Sequence, residues 1–233
     1  GHTFLEVGDE RARGLMVEYE VTLEGRAARW RLDRELLERE LVGCTTPAER
    51  ATKSREVFYL AQSNECLCRF DDAAALYAER ALMEVYPEER FVAQLRLGRC
   101  LWRLHASQAS VVQALRTAHQ MRPERAEPLY DLACFFRDHD FWQSCYEDAR
   151  AAAALPRPPG SPLFLEHEIY GWRAKLLHGI AAMRCCLWDE AATIFGDLLD
   201  GDSLSALERQ RVERNLRFVT TQCNAPRTAD AGS

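Results

Sequence analysis

The feature that most limits what this chain can fold into is a recurrence longer than any single helix or strand. Small residues follow a larger one at Leu60-Ala61, Leu97-Gly98, Leu132-Ala133 and His178-Gly179, at intervals of 37, 35 and 46 residues. Each is followed by a second apolar stretch: Phe70-Asp71-Asp72-Ala73 with Tyr77 and Ala81, then Leu115 and Ala118 before Pro123. Phe141 and Ala149 come before Pro156, and Trp188-Asp189-Glu190-Ala191 precedes Phe195. A small residue in the middle of one helix lets a second helix approach closely. An aromatic at the turn (Phe70, Phe141, Trp188) fills the hole between neighbouring pairs, and a proline ends the second helix. One such pair cannot bury its own apolar face, so several must stack.

The expected fold class is therefore all-α, a superhelix of stacked helix-turn-helix pairs over residues 26–222. The first two intervals lie near the period of about 34 residues that marks tetratricopeptide repeats, and the third is stretched. The stretch falls at 155–162, where Pro156, Pro158, Pro159 and Pro162 cannot continue a helix and predict an extended connector. A leading helix over 30–42 carries Leu32, Leu36, Leu37 and Leu41 on one face, and Gly43 ends it. A closing helix over 203–220 presents Leu204, Leu207, Val212, Leu216 and Val219 inward. Glu127 and Pro128 suit a helix start, the acid at the positive end and the proline where no amide donor is needed. Residues 1–25 read as a short strand-like segment turning near Gly8-Asp9, and residues 223–233 as a flexible tail.

Composition removes several alternatives. The 233 residues are 47% hydrophobic and 28% charged, too apolar for a disordered chain. A net charge of −6 disfavours a nucleic-acid partner or a membrane surface. No run of about 18 apolar residues could span a membrane, and without a visible charged-then-apolar stretch at the start no secretory signal is expected. Nine cysteines without C-x-x-C or zinc spacing read as mostly buried small side chains in a reducing, cytoplasmic setting. Lys53 and Lys175 are the only lysines among thirty basic residues, an arginine excess that a GC-rich genome explains.

Several stretches resemble the helical region after the catalytic domain of family 2 glycosyltransferases. They are Phe58-Tyr59-Leu60-Ala61-Gln62-Ser63 with Arg69-Phe70-Asp71-Asp72-Ala73-Ala74, then Arg122-Pro123-Glu124-Arg125-Ala126-Glu127-Pro128-Leu129-Tyr130-Asp131-Leu132-Ala133, and the closing helix from Glu208 to Phe218. The leading helix with Asp33, Leu36-Leu37 and Leu41 matches the place where that region begins, so the resemblance covers roughly residues 26–219. It implies a non-catalytic binding or positioning module whose partner is an upstream glycosyltransferase catalytic domain, or else a stand-alone adaptor for a protein or peptide. The catalytic domain of those enzymes is a separate α/β unit with a metal-binding D-x-D motif, and the roughly 25 residues before the repeats are too few for one. That the chain opens on Gly1 and not Met accords with a piece of a longer protein.

Two D-x-D matches occur, Asp138-His139-Asp140 and Asp200-Gly201-Asp202, and neither follows a buried strand, the context a diphosphate site requires. No catalytic residue, metal site or cofactor is assigned, because the histidines show no ligand spacing and no nucleophile elbow exists. His167, between two glutamates after the connector, has the most suggestive setting among them. Binding is expected on the concave surface lined by first helices. Arg96, Arg99 and Arg103 form a single cationic stripe on the helix 91–104, suited to a carboxylate, an acidic peptide or a phosphate. A solvated or internally paired face is the more ordinary reading of that stripe. Tyr59, Gln62, Tyr130 and Arg137 hold comparable first-helix positions and extend the surface.

Overall fold

A computed structural model of the chain describes residues 23–160 and 162–224. Among these residues eleven α-helices form and no strand does. They are α1 (Leu23–Glu40), α2 (Pro47–Thr52), α3 (Ser54–Cys66), α4 (Phe70–Leu82), α5 (Pro87–Arg103), α6 (Gln108–Met121), α7 (Glu127–Asp138), α8 (Trp142–Ala154), α9 (Ala174–Arg184), α10 (Trp188–Asp200) and α11 (Ala206–Cys223). From α3 onward every helix packs on its successor, and the first helices α3, α5, α7 and α9 also touch along the series. The array is built from the four pairs that the recurrence predicts: α3–α4, α5–α6, α7–α8 and α9–α10.

The small residues act as expected. Ala61 and Ala133 are fully buried. A Cβ on Gly98 would stand 2.6 Å from Leu115 Cδ2, and one on Gly179 would stand 2.7 Å from Phe195 Cε1. In both pairs the second helix therefore lies against bare backbone. The turns inside the four pairs share a further device. Cys68, His105, Asp140 and Cys186 adopt left-handed backbone, with φ of 57°, 52°, 59° and 60°. One residue later the amides of Arg69, Ala106, Phe141 and Leu187 donate back to the carbonyls of Asn64, Leu101, Phe136 and Ala182. This five-residue return satisfies carbonyls that the end of an α-helix leaves open, and glycine usually supplies the left-handed residue. The four turns fall at the same intervals as the four small residues.

Some expectations need correction. Leu23, read as strand, opens α1, and the rest of the segment 1–22 lies outside the described residues. Phe141 does not fill the hole between pairs: it is 47% exposed, and its neighbour Trp142 opens α8 and packs against the core as Phe70 and Trp188 do. One residue turns the side chain about 100° around the helix, enough to exchange inside for outside. Leu32, Leu36 and Leu207 are exposed; α1 packs near its end through Leu37, with Leu41 buried just beyond it, and α11 relies on Val212, Leu216 and Val219. The cysteines are not mostly buried. Only Cys100, Cys134 and Cys145 are, while Cys66, Cys68, Cys186 and Cys223 are exposed, and all nine are free thiols. The tail from residue 225 lies outside the described residues, and Cys223 still belongs to α11. No helix among the described residues is long and apolar enough to cross a membrane.

The stretched interval has a structural cause. After α8 the chain runs without helix from Leu155 to Glu166 and folds back over the preceding pairs; helix resumes at His167 and passes through a wide turn at Ile169–Arg173 into α9. In that turn the Ala174 amide bonds to the Ile169 carbonyl, five residues back.

Candidate functional site

The described residues of the segment 162–168, called the strap here, lie across α3, α5 and the start of α7. Phe164 sits in a slot: its ring tilts against Phe58 of α3 at 5.9 Å, and the Arg96 guanidinium of α5 covers it at 5.1 Å. Two residues on, the Glu166 carboxylate accepts from Arg99 Nη2 at 2.5 Å. The Leu163 carbonyl accepts from both terminal nitrogens of Arg125 at 3.4 Å, and the Glu166 amide donates to Glu127 Oε1 at 3.3 Å. A recess of about 370 Å³ remains open beside the strap, lined by Val92, Leu95, Arg96, Arg99 and residues 164–166.

The cationic stripe is therefore largely committed within the chain. Arg96 donates to Glu65 Oε2 at 2.8 Å, and Tyr77 donates to the same oxygen at 2.7 Å. Arg99 bridges Asp131 at 2.6 Å and Glu166. Burial works to lower the Arg99 pKa, yet the two carboxylates overcome it and hold it above the ordinary value. Burial raises the Asp131 pKa, and Arg99 offsets only part of that rise. Arg103, exposed at the end of α5, makes no side-chain hydrogen bond or ion pair with any described residue.

The remaining candidates do not gather around the strap. Tyr59 and Gln62 line a separate recess of about 300 Å³ with Trp30, Asp33, Leu36, Leu37 and Ser63, between α1 and α3. Tyr130 is half-buried with its hydroxyl beside the Cys134 thiol, and burial pushes its pKa up. Arg137 pairs with the adjacent Asp138 at 2.8 Å. Both D-x-D stretches close helices. Asp140 accepts from the Trp142 indole at 3.1 Å within its turn, and Asp200 ends α10. Among the described residues no three His, Cys, Asp or Glu side chains stand close enough to hold a metal ion.

Beneath the strap lies a buried lock that sequence reasoning placed only as a helix start. Arg125 and Glu127 are almost wholly buried and pair through two bonds of 3.0 and 2.8 Å, with Phe91 under the guanidinium at 4.8 Å. Tyr170 donates to Glu127 Oε2 at 2.7 Å and accepts the Ala126 amide at 3.0 Å. Burial would raise the Glu127 pKa, but the bonds from Arg125 and Tyr170 outweigh it and hold the group below its ordinary value. The lock fixes the start of α7 and the root of the strap together.

The protein-family models and the curated proteins compared with this chain give no match.

Proposed function

We propose that this chain is a non-catalytic binding and positioning module, a tetratricopeptide-like superhelix whose concave face holds an extended segment of a protein. The observation that carries this reading is the strap itself: a stretch of chain that turns at Leu163-Phe164 already lies on the face of α3, α5 and α7, held by an aromatic slot and charge-assisted bonds. Stacked helical pairs present such a face because their first helices align along one side of the array. Nine free thiols agree with work in a reducing cytoplasm.

Within this reading the resemblance to family 2 glycosyltransferases suggests the setting: the module follows a catalytic domain and positions its acceptor or a neighbouring protein. The full gene tests that setting. A strand–helix domain with D-x-D after a strand, upstream in the same reading frame, is expected. A gene without one leaves the stand-alone adaptor.

Binding itself is tested by fluorescence anisotropy with a library of extended ten-residue peptides. Saturable binding is expected that weakens at least tenfold when Arg96 and Arg103 are both replaced by glutamate. The same charge reversal at Arg214 and Arg217 on α11 should leave it unchanged. A library without any saturable binder would sink the reading.

A further inference from the structure

The strap contacts specify a chemistry of recognition. We infer that the face of α3, α5 and α7 recognises a partner segment with an aromatic residue followed two positions later by a carboxylate, and that Phe164-Leu165-Glu166 is the chain's own copy of that pattern, displaced when the partner binds. The inference rests on the reading of this face as a protein-binding surface, and it adds what the face selects.

Three fixed points set the pattern. The slot formed by Phe58 and the Arg96 guanidinium takes a flat ring, because a cation over its face and a tilted ring beside it both favour an aromatic. Arg99 Nη2 takes a carboxylate two residues further on. Arg125 takes the backbone carbonyl of the residue before the aromatic, which fixes the direction of the segment.

The strap is built to leave. Every arginine that holds it has a second partner in the array: Glu65 for Arg96, Asp131 for Arg99, Glu127 and Glu88 for Arg125. Removing the strap therefore strands no buried cation, whereas an element needed for folding would leave its partners uncompensated. Leu163 and Phe164 stay more than two-fifths exposed although docked. Phe164 is held in left-handed backbone at φ 53°, a conformation that a phenylalanine in a freely chosen segment avoids. Among the described residues no backbone–backbone hydrogen bond ties the stretch from Arg157 to Leu165 to a helix of the array. The motion has a boundary, since Tyr170 and Glu127 hold the far end, so the strap can peel from the face while α9 keeps its place.

The test is a competition in the full chain. A fluorescein-labelled peptide with the sequence of residues 162–168 is titrated, by anisotropy, into the wild type and into the variant Phe164→Ser/Glu166→Gln. Binding to the variant at least tenfold tighter than to the wild type is expected. It should be lost when the peptide's own phenylalanine becomes alanine, when its first glutamate becomes glutamine, or when Arg99→Gln is added to the protein. Helicity by circular dichroism must match the wild type. Should the double variant lose it, Glu166→Gln alone replaces it and must still bind at least threefold tighter than the wild type. A folded variant that ignores the peptide, or that binds it equally without its aromatic, overturns the inference. The peptide library separates the two failures. If the emptied variant captures peptides without the aromatic–acid pattern, the binding module stands and the pattern falls; if it captures none, both fall.

Discussion

Adding a single methyl group at Gly98 should destabilise the protein even though alanine is the better helix former. The exchange gains about 1 kcal/mol of helix propensity. Against that, the new Cβ would stand 2.6 Å from Leu115 Cδ2 and 2.8 Å from its Cγ, where carbon atoms rest comfortably about 3.5–4 Å apart. Leu115 is fully buried, so it cannot swing into solvent, and α5 and α6 must part or Leu115 must leave its rotamer. Overpacking of this kind costs about 1–3 kcal/mol, which leaves a net loss of about 1 kcal/mol. Gly179→Ala should lose more, about 2 kcal/mol, because its Cβ meets the rigid Phe195 ring at 2.7 Å and Ile194 at 3.1 Å. Gly196, inside α10, has nothing within 4 Å of a built Cβ, so Gly196→Ala should gain up to about 1 kcal/mol. Urea unfolding followed by circular dichroism measures all three, with the slope checked for constancy. If Gly98→Ala and Gly179→Ala are stabilised as much as Gly196→Ala, close approach is not what these glycines provide.

Three other outcomes are expected. Replacing His105 or Cys186 by glycine should stabilise the fold by about 1 kcal/mol, since each is an exposed L-residue held in left-handed backbone; an unmoved or lowered urea midpoint would contradict this. Arg125→Met should cost about 3–5 kcal/mol by leaving Glu127 buried without its cation, and adding Glu127→Leu should recover much of that loss, as a double-mutant cycle would show. Burial lowers the pKa of His178 below its ordinary 6.5, with Glu190 offsetting only part. Its neutral form therefore contributes stability that is complete above about pH 6.5 and is lost as the pH falls through the folded pKa, so the stability–pH slope on the acid side should flatten in His178→Gln.

The pairing of helices was legible because it rests on residues with no substitute. A glycine or alanine at a crossing and an aromatic at a turn leave their spacing in the sequence whatever surrounds them. The choice between Phe141 and Trp142 was not legible, because two adjacent aromatics satisfy the same spacing. The three arginines are legible as a stripe on one helix, whereas their partners are not, for a definable reason. Glu65–Arg96, Arg99–Asp131 and Arg116–Asp148 stand 31, 32 and 32 residues apart, one repeat less about one turn. Charges at that offset meet across equivalent helices, so the period already held the signal, but only once it was applied to charges as well as to small residues. The strap carries no period, and nothing in a proline-rich stretch announces which earlier helices it will cross.

Helical arrays ordinarily behave like springs: each unit touches its neighbours alone, and the ends fray or stretch without consulting the middle. Here Phe164 joins Phe58 across roughly a hundred residues of chain, and Glu166 ties α5 and α7 to the root of α9. Such a tie stiffens the array against extension. Pulled from its ends in a force experiment, the protein should resist as a single block until the strap releases, and lengthen compliantly only afterwards.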